Sequence, residues 1–294
     1  ESPATEDETR AHLLTRGNRS AAPILKSFVQ DQDRRKKNRA GPLSVFVRNC
    51  DDRALKAFLF LHVFISNGKD GWSSTLPLQT WARVFGTTRD AERRSASSAA
   101  TKLLTRLEQR HLISRARSGR ARQITVTLLK PDGSGADYGN RPLGATADDR
   151  FFNLTHRFWT DDWHRQLDLP AVAMLLVALC EPLTGFELAT ERVPEWYGWS
   201  ADTAERGLKT LHDHGLINVH KRVQKAPLAP LGVTIRNVYT LTGALVPDPT
   251  RKPPARKTTK STRSTKSTTT GTTTRTKTEA SKRPAARATD MVRT

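Results

Sequence analysis

The chain spells one series of segments twice. Each round opens with a nearly all-apolar stretch, continues through a short and then a long amphipathic stretch, and closes with two extended runs around a turn. This order constrains the fold more than any bulk figure does. Each round alternates helical periodicity with a single hairpin, which leaves no material for a large sheet. The longest apolar runs, 57–65 and 171–179, fall short of the ~18–20 residues needed to cross a bilayer and read as buried helices.

In the first round, residues 43–47 read as a short strand. Asp51 and Asp52 then stand where a helix N-terminus favours negative charge. A helix over 54–66 carries Leu55, Phe58, Leu59 and Ile65, a turn follows at 67–71, and a short helix at 78–85 ends at Gly86. A long helical segment runs to about Gln109, and 113–129 reads as an extended piece with a turn. In the second round, 151–158 precedes Asp168 and Pro170, a cap and an early-helix proline. Helices are expected over 171–179, 191–197 and 201–214, and strands over 218–222 and 233–241. The expected class is mainly α with small β hairpins (α+β). Two domains, 41–130 and 151–246, are joined by a Gly/Asp-rich linker at 131–150. They are flanked by a flexible arm at 1–40 and a disordered Thr/Lys/Arg-rich tail at 247–294, whose composition offers almost nothing to bury.

The net charge of +20 is unevenly placed. Basic side chains number nine against six acidic ones in 1–40, and sixteen against six in 41–130. They number eleven against fourteen in 131–246, and thirteen against three in 247–294. Two strongly basic blocks thus flank a slightly acidic one, and a polyanionic partner is the natural expectation because each neutralised phosphate releases counterions. The basic cluster at 34–39 reads either as an arm that tracks phosphates or as a solvated charge run. Cys50 and Cys180 stand far apart, which argues for a reducing compartment and against structural zinc. The charged N-terminus does not read as a secretory signal. The expected location is cytoplasmic, with the nucleoid.

The strongest local pattern lies at 197–217. Gly198 permits a tight turn, Ser200 is placed to cap a helix, Ala201, Ala204, Leu208 and Leu211 share one helical face, and Gly215 ends it before Leu216 and Ile217. In the first round Leu103, Leu104, Leu107, Leu112 and Ile113 repeat the leucine spacing. There His111 stands in place of the closing glycine, and eight extra residues follow Gly86, placed around 88–94. This pattern resembles the recognition helix of the winged helix-turn-helix superfamily, over about 43–129 and 151–242. Tandem winged helices of this kind are similar to plasmid replication initiators and to some transcription regulators. The resemblance implies duplex-DNA binding and no cofactor.

A groove-reading helix shows donors outward and avoids acids. At ~100° per residue, Ala96, Ala100, Leu103 and Leu107 face inward. Arg94, Ser98, Thr101 and Thr105 then lie opposite with Lys102 beside them, and Arg93 and Arg106 flank the stripe. Arg115, Arg117, Arg120 and Arg122 surround a Ser118–Gly119 turn, suited to phosphate or minor-groove contact. The second round mixes Asp202, Arg206, Lys209, Thr210 and Asp213 on its outer face. Its hairpin tip is apolar above Lys221, Arg222 and Lys225. It is therefore expected mainly to dimerise or recruit a protein partner, with weaker DNA contact from Arg206, Lys209 and those three bases.

Trp159, Trp163, Trp196 and Trp199 read as packing residues rather than base-stacking platforms. Gly68-Lys69 lacks the rest of a phosphate loop, and His156, Asp161, Asp162 and His164 fit no zinc spacing. The chain is expected not to be an enzyme, to hold no metal, and to bind double-stranded DNA in replication initiation or transcriptional control, without touching a membrane. A protein-interaction scaffold with a nonspecific nucleic-acid tail and an RNA-binding protein are the alternatives.

Overall fold

Both halves of the chain close on the same order of elements: helix, strand, helix, helix, strand, strand. The computed structural model describes residues 2–16, 19–33, 35–66, 71–89, 93–118, 123–140 and 142–247. It is mixed α+β. The N-terminal segment forms α1 (Glu6–Arg16) and β1 (Ala21–Leu25). The first half follows with α2 (Leu43–Arg48), α3 (Asp52–Phe64), β2 (Ser73–Pro77), α4 (Leu78–Val84), α5 (Arg93–Gln109), β3 (Ile113–Ser118) and β4 (Gln123–Leu128). The second contains β5 (Phe151–Thr155), α6 (Arg157–Thr160), α7 (Trp163–Gln166), α8 (Leu169–Cys180), β6 (Phe186–Glu187), α9 (Val193–Trp196), α10 (Ala201–Asp213), β7 (Ile217–Lys225) and β8 (Val233–Leu241). The sheets are antiparallel, ordered β2-β4-β3 and β6-β8-β7, so the first strand of each half joins the far side of its hairpin.

Local chemistry explains the main elements. Asp168 caps α8 by accepting from the Ala171 amide at 3.0 Å, and Pro170 sits in the first turn, where a missing N–H costs nothing. Ser200 caps α10 through the Thr203 amide at 3.2 Å. α3 and α8 are apolar nearly all round and are buried nearly all round. Trp81 is fully buried, and its indole N–H donates to the Ile124 carbonyl at 3.0 Å, which ties α4 to β4. Gly207 lets α10 approach α8: a Cβ there would lie 2.3 Å from the Pro170 carbonyl oxygen.

Sequence expectations are corrected at 43–47 and at 1–40, and β2 is a strand the sequence did not announce. Residues 43–47 are helical, because α2 packs Leu43, Phe46 and Val47 into the core between α3 and α8. Strand β2 has no apolar alternation of its own and exists by pairing with β4, where Ser73 meets Thr127 and Thr75 meets Thr125 hydroxyl to hydroxyl at 2.7 Å. Residues 1–40 contain fixed structure rather than a flexible arm. β1 pairs with β5 from Ala21↔Thr155 to Leu25↔Phe151, and α1 lies on α3 and α4. The basic cluster is folded back: Lys36 pairs with Asp31, Arg35 with Asp33 and Lys37 with Glu195, and Arg39 sits over the Trp196 ring.

The halves share one core and belong to one compact unit. Phe60 meets Trp159 edge to face at 4.9 Å, and the Lys56 ammonium donates to the Leu167 carbonyl at 3.0 Å. The segment read as a linker also packs inward, with Tyr138 stacked on Trp72 at 4.1 Å. Trp159 and Trp199 are buried, in keeping with packing roles. No helix of the described residues is long and apolar enough to cross a membrane.

Candidate nucleic-acid interface

The candidate interface begins with the two ends of α5. At its start, Gly86 turns the chain at φ +66°, and α1 braces the following loop. The Glu6 carboxylate accepts from the Thr88 amide at 2.8 Å and the Thr88 hydroxyl at 2.7 Å, while Arg10 Nε donates to the Val84 carbonyl at 3.0 Å. At its end, His111 takes φ +55°, the left-handed conformation that Gly215 takes at +68° in the second half. The eight extra residues divide between helix and turn, since α5 has 17 residues against 13 in α10.

Buried Asp51 anchors the C-terminal half of α5. It occupies the N-cap position of α3 without capping it. Its two carboxylate oxygens instead accept from Arg106 at 2.8 Å and Arg110 at 2.7 Å. Arg110 also stacks on Phe46 at 4.2 Å. The helix is thereby held by paired charge as well as by Ala96, Ala100, Leu103, Leu104 and Leu107, all buried.

The solvent face of α5 differs by part of a turn from the sequence expectation. Arg94, Ser98 and Lys102 are exposed as expected. Thr101 and Thr105 are half-buried, and their hydroxyls donate back to the Ser97 and Thr101 carbonyls at 2.9 and 3.0 Å, which removes them as outward donors. Ser95 and Gln109 are exposed instead, so the outer stripe runs Arg94, Ser95, Ser98, Lys102, Arg106, Gln109. Leu104 is the missed signal. Adding it to the inward set rotates the outward direction away from Thr101, and β3 covers that side, with Arg115 Nη1 3.5 Å from the Thr101 carbonyl.

The arginines divide into held and open. Arg106 is held by Asp51 and Arg115 by Glu108 at 2.7 Å. Arg94, Lys102 and Arg117 are exposed, and none has an ion-pair partner among the described residues. The Arg93 side chain and all of Arg120 and Arg122 lie outside the described residues, as do the 67–71 turn up to Asp70 and the tail from 248.

In the second half the bases of α10 are matched. Arg206 pairs with Asp202 at 3.2 Å and Lys209 with Asp213 at 2.7 Å, one turn apart along α10, and the Lys209 bond holds the Asp213 carboxyl below the ordinary range. Arg222 and Arg236 share Glu187 at 3.2 and 2.9 Å. Lys221 and Lys225 are exposed on the hairpin.

His164, set beside Asp161 and Asp162 in sequence, is buried against Trp159 rather than facing a ligand; burial and nearby Arg10 push its pKa down to about 4. Among the described residues no three His, Cys, Asp or Glu side chains gather as a metal site. Comparison of the chain with protein-family models, with curated proteins and with solved structures finds no match.

Proposed function

We propose that the chain is a duplex-DNA-binding protein in which each half is a winged helix-turn-helix and α5 is the reading helix. The winged-helix assignment is supported by the doubled element order with the first strand of each sheet paired to the last. The single observation that carries the function is the acid-free outer stripe of α5. It presents the guanidinium of Arg94, the hydroxyls of Ser95 and Ser98, the ammonium of Lys102 and the amide of Gln109 along one helix face, beside open Arg117 on β3. Guanidinium and amide groups suit base edges in a major groove, and Lys102 and Arg117 suit phosphates. The wing arginines and the basic tail add sequence-independent affinity.

The biological setting proposed is replication initiation of a plasmid or mobile element, or control of transcription. Sequencing DNA fragments retained by the protein from a random pool tests specificity and setting together. A preferred site that recurs as repeats beside an origin supports replication, and one at promoters supports transcription. Retention without a preferred site overturns sequence-specific reading, and preference for structured RNA over duplex overturns the DNA assignment.

A further inference from the structure

The second hairpin leaves the body of the protein. Of the nine residues of β7 only Ile217 is buried, and of the nine of β8 residues 233–237 are exposed. A two-stranded ribbon has little stability alone in water, so one that carries apolar groups away from its core is a candidate for covering by another surface. Register places Val219 opposite Tyr239, Val223 opposite Ile235 and Lys225 opposite Val233, all on one face. At the base of that face, Leu208, Val219 and Tyr239 line a shallow groove of about 300 Å³ against α10, edged by Glu205, Lys209 and His212. Midway stand Val223 and Ile235, 63% and 62% exposed. At the tip stand Leu228 and Leu231, 101% and 86% exposed.

We propose that this ribbon is a dimerisation arm that packs face to face on the same ribbon of a second copy of this chain, across a two-fold axis at the Val223–Ile235 pair. The spacing is self-complementary. The groove lies four residues from Val223 toward the body and the tip about as far in the other direction, ~13–17 Å each way along the strand. An antiparallel two-fold therefore seats Leu228 and Leu231 of each copy in the groove of the other, which an isologous contact requires. Register also puts Lys221 and Asn237 on this face, and the same two-fold sets Lys225 of one copy at the level of Lys221 of the other, so the contact is carried by its apolar residues and not by charge. The six exposed apolar residues of the ribbon present on the order of 700 Å², close to the ~800 Å² per partner of a standard interface. Edge-to-edge pairing of β7 with itself is disfavoured, because the strand carries Lys221, Arg222 and Lys225 and no acid. The inference does not depend on the DNA reading, since it uses the second half alone.

Sedimentation of the full chain without nucleic acid, in moderate salt, tests it. The wild-type chain is expected to be a dimer in the micromolar range. Val223→Lys, which adds two more positive charges to an axis already flanked by Lys221 and Lys225 of both copies, is expected to raise the dimer dissociation constant on the order of 100-fold. Because Val223 is exposed, the variant should keep its circular dichroism, and its melting temperature should match the wild type's once both are dilute enough to be monomers; Leu228→Asp with Leu231→Asp should act like it. In a Cys50→Ser background, Val223→Cys should be joined to a second copy by a short bismaleimide, whose reach matches the ~10 Å spacing of sheets packed face to face. A wild-type monomer, with the ribbon left bare or covered by another segment of the chain, overturns the proposal. So does a dimer that Val223→Lys leaves intact.

Discussion

The pair α5 and β3–β4 and its counterpart α10 and β7–β8 share strand order, a buried leucine face and a left-handed closing residue, yet they show solvent different chemistry. Along α10 Arg206 and Lys209 are each matched by an acid one turn away, and the long hairpin beyond it ends in an apolar tip above Lys221, Arg222 and Lys225. Along α5 the outer stripe carries no acid, and its hairpin is short and basic. The folding requirement is met by the inward residues in both halves, which leaves the outward ones to diverge. In the proposed function one copy is given to a polyanion and the other to protein. Topology therefore fixes where a reading helix would stand, and the pairing of its charges decides whether it can read.

The anchoring of the two halves gives the largest expected effect. Asp51 and Asp168 both precede a core helix, but Asp51 holds Arg106 and Arg110 while Asp168 caps its own helix. Asp51→Ala leaves Arg110 buried without its carboxylate and should cost about 3 kcal/mol in chemical denaturation. Asp168→Ala removes one cap and should cost about 1 kcal/mol. Equal losses would break the distinction. Next, Arg94→Glu with Lys102→Glu should weaken duplex binding on the order of 100-fold in a titration at fixed salt, while Arg206→Glu with Lys209→Glu should change it by less than about threefold. A smaller effect is expected from Arg117→Ala, which should reduce the slope of log affinity against log salt by about 0.9 and weaken all duplexes alike.

Acid stability sharpens the comparison from inside, because each half buries a histidine. Burial pushes the pKa of both His62 and His164 down to about 4 from an ordinary value of 6.5. Below pH 6.5 the unfolded chain takes up protons that the folded chain refuses. The stability these groups contribute is full above 6.5 and is lost as pH falls toward 4. Calorimetry at pH 5 should show proton uptake on unfolding, and His164→Gln should reduce it by up to one proton per molecule.

Much of this arrangement was legible in the sequence, and what was not follows a pattern. α5 and α10 carried their own periodicity, α3 and α8 their apolar length, and α8 and α10 their caps as well, so single segments announced them. α2 was misread because Leu43, Val45, Phe46 and Val47 suit a strand as well as a helix, and six residues are too few for a period to decide. β2 and β1 owe their conformation to partners 46 or more residues away, on β4 and β5. For the same reason the acid-free stretch was visible but its depletion was not. Arg106 is taken by Asp51, 55 residues earlier, and Arg115 by Glu108 across the helix-to-strand turn. Sequence shows which charges exist, and folding decides which remain open.

The central claim is that DNA lies on α5 and not on α10. A photoactivatable cross-linker attached at Ser98→Cys, and separately at Arg206→Cys, in a Cys50→Ser background and with bound duplex, addresses it directly. Both positions are exposed on the outer faces of their helices. Cross-links to DNA from position 98 and not from 206 are the expected result. Cross-links from 206 alone, or from neither position while the duplex remains bound, would contradict the account.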